Sequence, residues 1–158
     1  MKFLAYFGHL NIDVLIHVDS IPREGSVNVK DLSQRFGGTA GNFAMIAKRM
    51  NIPFDVYSAI GMKTHTEYYH KLMEMGINTD HIERYENESG PICYIASDGT
   101  KQVAFVYQGP MIRWNPEIKD DYKYIHLSTG PKYTEIVRKK KGNFTFDPSQ
   151  EIYKFSTD

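Results

Sequence analysis

Cysteine is almost missing from this chain of 158 residues: Cys93 stands alone, so no disulfide can form within it. Net charge is missing as well, with 19 lysines and arginines against 19 aspartates and glutamates. No global field therefore draws the chain to nucleic acid or to an anionic membrane, and neither is expected as a partner. Every apolar run falls far short of the roughly 20 residues needed to span a bilayer. The lone cysteine and the lack of a charged-then-apolar leader point to the cytoplasm. A G-x-x-x-x-G-K-[ST] run is absent, which disfavours a P-loop nucleotide site. The histidines at 9, 17, 65, 70, 81 and 126 show no paired spacing such as H-x-x-x-H, and one cysteine cannot build a thiolate zinc site, so no metal site is expected. Internal repeats, low-complexity stretches and a linker dividing two cores are all lacking.

What remains is enough for one substantial core, with 41% hydrophobic and 13% aromatic residues. Lys2 to Phe7 is a compact apolar run ending at Gly8, which predicts a buried strand whose carboxyl end opens at Gly8-His9-Leu10-Asn11-Ile12-Asp13. Val14 to Val18 and Val27 to Phe36 read as an extended pair outside the main sheet. After Gly41, the spacing of Phe43, Ala47 and Met50 predicts an amphipathic helix closing before Pro53. Phe54 to Ile60 reads as a strand, and Thr64 with Glu67 forms a capping-box pattern opening a helix with Tyr68, Leu72 and Met75 on one stripe and a stop at Gly76. Strand and helix in alternation imply a mostly parallel sheet.

Ile92 to Ser97 and Gln102 to Tyr107 flank Asp98-Gly99, a strong hairpin signal. The alternation then resumes with a strand at Tyr124 to Leu127, a helix at Tyr133 to Lys141 and a strand at Phe144 to Asp147. The expected architecture is one α/β domain over residues 1–158, a Rossmann-like sheet flanked by helices, with a small β lid from segments at about 14–36 and 92–108. Open strand edges recruit partners, so two lids pairing in a homodimer is also expected.

The chemistry concentrates in Phe36-Gly37-Gly38-Thr39-Ala40-Gly41-Asn42-Phe43-Ala44, a glycine-rich turn running into a helix, read together with Asn11 and Asp13. Such a turn lets backbone amides approach a ligand at a helix amino terminus, or it is simply a tight turn. An aspartate and an asparagine together suit vicinal hydroxyls, the carboxylate accepting two O–H bonds while the amide both donates and accepts; the alternative is an Asx-type loop. Phe36, Phe105 and Tyr107 either stack on a ligand's ring or fill the lid. Arg138-Lys139-Lys140-Lys141 suits a phosphate, or complements a helix carboxyl terminus.

Four segments carry a resemblance: Gly8 to Asp13, Ile21-Pro22-Arg23-Glu24-Gly25, Gly37 to Ala44, and Gly76-Ile77-Asn78-Thr79-Asp80. In order and spacing they resemble the first half of a PfkB-family, ribokinase-type sugar or nucleoside kinase, and the likeness covers nearly the whole chain. The resemblance implies a ribokinase-like fold and transfer of phosphate from ATP, with Mg2+, to a hydroxyl of a sugar or nucleoside. It further implies that Asn11, Asp13, Gly37, Gly38 and Asn42 hold the acceptor under a β lid. Gly61-Met62-Lys63 departs from the family, many members having an aspartate two residues after that glycine. Gln108-Gly109-Pro110-Met111 stands where ribokinases often have Gly-Ala-Asn, which argues against ribose as the acceptor.

The family's Asp-Thr-x-Gly-Ala-Gly-Asp motif, which supplies an anion hole and the catalytic base, does not occur in this sequence. No catalytic residue is therefore expected within residues 1–158, and little turnover from them alone. Asp147-Pro148 lies where the family approaches its nucleotide region, or else ends a strand in a turn. The rival to a kinase half is a non-catalytic sugar- or nucleoside-binding module.

Overall fold

The computed structural model describes residues 1–130, 140 and 142–149. Its main sheet has the order β5-β4-β1-β8-β9, from β1 (Lys2–Phe7), β4 (Asp55–Gly61), β5 (Ile82–Tyr85), β8 (Tyr122–Leu127) and β9 (Asn143–Phe146). Every pairing in it is parallel. Strands buried on both faces read as continuous apolar runs, and β4 is buried at every position. Alternate residues feed two cores. Ala5, Phe7, Tyr57, Ala59, Ile125 and Leu127 face one side, where Met111, Trp114 and Ile118 cover them. Tyr6, Val56 and Ile60 face the other, where they meet α1 (Thr39–Arg49) through Ala40 and Ala44 and α2 (Met62–Glu74) through Tyr68 and Leu72.

Four further strands form a separate sheet of order β3-β2-β6-β7, from β2 (Asn11–Val18), β3 (Val29–Gly37), β6 (Ile92–Ser97) and β7 (Gln102–Tyr107). The two expected strand pairs are both present, and a parallel β2–β6 pairing joins them. A parallel sheet with α1 and α2 on one face and a separate small sheet beyond it is the α/β body with a β lid that the sequence pattern predicts. Among the described residues no helix is long and apolar enough to cross a membrane.

Several local expectations differ from what is seen. Asn11 and Asp13 lie on β2 itself rather than in a loop before it. The buried stripe of α1 is Ala40, Ala44 and Ala47, whose small side chains let the helix lie close to the sheet. Phe43 flanks that stripe, stacked on Tyr6 at 4.1 Å, while Met50 caps the helix and is 64% exposed. The Thr64–Glu67 capping box does not form, because α2 begins two residues earlier, at Met62. Its other end follows expectation: Gly76 takes φ +66°, with Gly76 N–H bonded to the Met73 carbonyl and Ile77 N–H to that of Leu72, a Schellman closure.

The β6–β7 hairpin closes through four residues rather than two. Only Gly99 has positive φ, and the Asp98 carboxylate accepts from the amides of Thr100 and Lys101. β5, whose sequence Ile-Glu-Arg-Tyr buries only Ile82 fully, and the short 3-10 turn Gly109–Arg113 had no signal in the pattern. All of the expected helix at Tyr133 to Lys141, and of the Arg138–Lys141 run within it, lies outside the described residues except Lys140.

Candidate functional site

A cavity of about 430 Å³ opens where β1 and β8 end, between the main sheet and the small one. Ligands in open α/β sheets bind outside such strand ends. Residues two apart on a strand share a face, so Asn11 and Asp13 project together. Register sets Asp13 beside Cys93 of β6, and Cys93 beside Val106 of β7; all four line the cavity. Gly38, Thr39 and Asn42, at the start of α1, line it from the other side. The structure thus brings Asn11, Asp13, Gly38 and Asn42 into one cavity. Gly37 lies beneath Asp13 and does not line it.

Each glycine of the turn answers a specific close approach. A Cβ on Gly37 would sit 2.2 Å from the Asp13 carboxylate. Gly38 has φ +83°, and a Cβ there would lie 2.4 Å from the His9 carbonyl oxygen and 2.5 Å from the Asn11 nitrogen. On Gly41 it would strike the Tyr68 hydroxyl, which donates to the Gly37 carbonyl at 2.8 Å. The turn is therefore glycine-rich so that Asp13, the backbone before Asn11, and Tyr68 can all press against it. The Ala40 N–H donates to the His9 carbonyl at 3.0 Å, which ties the start of α1 to the same loop.

Two polar groups in the cavity lack partners among the described residues. Asn11 Oδ1 is buried without a hydrogen bond among the described residues. Asp13 is half-buried, has no hydrogen bond or ion pair among the described residues, and burial pushes its carboxyl above the ordinary aspartate value. Buried polar atoms are nearly always satisfied, so an orphaned acceptor beside an unpaired carboxylate suits a ligand that brings O–H donors.

His9, Thr39, Cys93, Gln108 and Thr129 also line the cavity and were not among the expected site residues. The buried His9 ring is held at both nitrogens, 2.6 Å from Gln108 Oε1 and 3.2 Å from Thr129 Oγ1. Burial, then the charge of Asp13, pushes the Cys93 thiol up. The signal for Cys93 is register, since it and Val106 share a face with Asp13 only once β6 is known to pair with both β2 and β7. That same alternation sends Phe36, Phe105 and Tyr107 to the opposite face of the small sheet. There Phe36 stacks on Tyr68 at 4.5 Å, and Phe105 and Tyr107 are exposed. At the far end of β9, Asp147 accepts from the Ser149 amide at 2.8 Å, a strand-ending turn.

At the other end of the main sheet, ligand atoms of Asp55, His81 and Asp120 lie within 4.8 Å of one another. The Lys2 ammonium bonds both carboxylates, at 2.8 and 2.7 Å, and Tyr122 and Asn78 donate to Asp55. A cation thus already sits between these acids as a side chain, and the cluster joins the starts of β1, β4 and β8. Burial alone would raise the Asp55 carboxyl; hydrogen bonds from Lys2, Tyr122 and Asn78 outweigh it and hold it low.

The sequence matches the pfkB family carbohydrate kinases over residues 1–139. A nucleoside kinase of Thermoplasma acidophilum is 65% identical across all of this chain, which covers 55% of that protein. A crystal structure from the same organism, described as a candidate ribokinase, is 65% identical with a TM-score of 0.92, over 99% of this chain and 55% of that one. The nucleoside kinase of Burkholderia thailandensis, solved with inosine, shares the fold at 20% identity, with a TM-score of 0.83 over 96% of this chain and 54% of that one. The chain spans about half the length of the curated relatives it matches. With the match running over residues 1–139 of 158, this chain belongs to the pfkB family of carbohydrate kinases.

Proposed function

We propose that this chain supplies the acceptor site of a cytoplasmic nucleoside kinase, which transfers phosphate from ATP to a nucleoside hydroxyl. The observation that carries the reading is a pair of acceptors without partners among the described residues, Asn11 Oδ1 and the Asp13 carboxylate, facing one cavity. Asp13 accepts from two neighbouring ribose hydroxyls, Asn11 accepts from one of them, and the Asn42 amide completes the set from the start of α1. Gly38 keeps that helix start close enough to reach. The small sheet acts as a lid, with Cys93, Ile95 and Val106 as the apolar wall over the acceptor. Nucleoside is favoured over free sugar by the name of the 65%-identical relative and by the inosine held in the Burkholderia protein.

ATP enters as co-substrate with Mg2+, which neutralises charge on the transferred phosphoryl group. Residues 1–158 orient the acceptor, because phosphoryl transfer depends chiefly on positioning and charge stabilisation. The outer lid face exposes Leu32, Tyr94, Phe105 and Tyr107, and β3 and β7 are open edges, which favours a homodimer through the lids.

A thermal-shift panel of nucleosides and free sugars tests the reading. A ligand at about 100 times its Kd stabilises by about 2.7 kcal/mol, or roughly 5–10 °C for a chain of this size. Nucleosides are expected to raise the melting temperature and ribose or fructose to leave it unchanged. Stabilisation by sugars alone would overturn the nucleoside assignment.

A further inference from the structure

The two parallel strands of the small sheet, β2 and β6, leave the body side by side, and one pair of α2 residues touches the base of each. His65 is fully buried, and its Nε2 lies 2.9 Å from the Leu10 carbonyl, the residue before β2. A carbonyl can only accept, so Nε2 carries the proton, and in the neutral ring Nδ1 is then an acceptor. Its partner at 2.9 Å is the Thr64 hydroxyl, which therefore donates. The lone pairs of that hydroxyl take the Gly90 N–H at 2.8 Å, two residues before β6. One relay thus runs from Gly90 through Thr64 and His65 to Leu10.

Packing supports the relay independently. A Cβ on Gly90 would lie 2.3 Å from His65 Nδ1, so the chain entering β6 passes directly against the ring. Gly61 meets the Ser89 and Gly90 backbone as closely, and Ile12 N–H donates to the Pro91 carbonyl at 3.0 Å just where the β2–β6 pairing begins. Asn11 follows Leu10 immediately. This is the segment in which Gly61-Met62-Lys63 departs from the family pattern, and its hydroxyl and imidazole serve neither as a helix cap nor in the cavity.

We infer that Thr64 and His65 are positioning residues, which lock the bases of β2 and β6 to α2 and so hold Asn11 and Asp13 in register with the cavity. The inference rests on the acceptor-site reading for its effect on binding, though not for the lock itself. The test compares Thr64→Val, which removes both hydroxyl bonds at nearly constant shape, with Thr64→Ser, which keeps them. Two quantities are read: hydrogen exchange at the backbone amides of residues 10–12, 90 and 92, and inosine affinity by calorimetry.

In Thr64→Val, exchange is expected to accelerate about tenfold at both segments together while β4 and β8 keep their protection, and inosine affinity to fall about tenfold. Thr64→Ser should restore both. Acceleration at only one segment, unchanged affinity, or an equal loss in the serine variant would overturn the inference. If the parent chain binds no nucleoside, the acceptor reading fails, and the exchange data still decide the lock. Should Thr64→Val unfold, His65→Gln takes its place, since it drops the acceptor for Thr64 while keeping a donor for Leu10. Paired acceleration at both segments would again support the lock, and protection unchanged at both would refute it.

Discussion

Replacing Asp13 with asparagine separates binding from folding at one position. The carboxylate is half-buried, unpaired among the described residues, and pressed over Gly37, with burial raising its pKa. A folded pKa above the unfolded value means that this group's stabilising contribution is full below the unfolded value of about 3.9 and is lost as pH rises through the folded one. At neutral pH the charged Asp13 therefore works against the fold. Asp13→Asn keeps the shape and removes the charge, so the melting temperature at pH 7 should hold or rise slightly. Binding should move the other way, because a charge-assisted hydrogen bond is worth about 1.5–3 kcal/mol, roughly 10- to 150-fold in Kd. Calorimetry with inosine and thermal melts of both proteins measure the two effects. Unchanged affinity removes Asp13 from the site, and a melting temperature lowered by many degrees would show that the carboxylate serves the fold instead.

Gly41→Ala drives a methyl into the Tyr68 hydroxyl and should cost about 1–3 kcal/mol in denaturant unfolding. Adding Tyr68→Phe should recover part of that loss, and no recovery would argue against this contact. Burial lowers the pKa of both His65 and His126, so each contributes stability that is full above the ordinary histidine value of about 6.5 and is lost as pH falls through the folded values. Denaturant midpoints should accordingly decline between pH 7 and pH 5, and His65→Gln should flatten part of that slope.

The parallel sheet was legible because its strands are short apolar runs set between helical patterns, and burial on both faces leaves that mark in composition. β5 left no mark, since Glu83 and Arg84 break the run and only its edge pairing with β4 makes it a strand. The glycine turn was legible as a motif but not in its cause, because the groups pressing on it come from β2 and α2. Tyr68 is 31 residues from the carbonyl it bonds. His9, Gln108 and Thr129 converge on the cavity across separations of 99 and 120 residues, and no local pattern encodes such a meeting. Thr64 illustrates the opposite case: a strong local motif, the capping box, does not form, because the helix already starts at Met62 and the Thr64 hydroxyl accepts from the Gly90 amide instead. Phe105 and Tyr107 show the limit of reasoning from residue type, since strand alternation alone decides which face an aromatic side chain occupies.

Residues 1–158 alone should bind acceptor better than nucleotide and transfer phosphate at no useful rate. Asn11, Asp13, Gly38 and Asn42 line one cavity, which on the proposed reading is the acceptor site. The sequence contains no Asp-Thr-x-Gly-Ala-Gly-Asp run to supply the base or the anion hole. A general base contributes about 10²–10⁴-fold, and one preorganised donor to the developing charge roughly another 10²–10³. Losing both leaves product formation near the uncatalysed background, whereas a longer polypeptide in which this sequence continues into that motif should turn over. Labelled phosphate transfer measured for both proteins over the same nucleosides separates the outcomes. Binding without transfer in the longer protein would favour a non-catalytic nucleoside-binding module, and robust transfer by residues 1–158 would show that the base lies within them, among groups here assigned only to holding the acceptor.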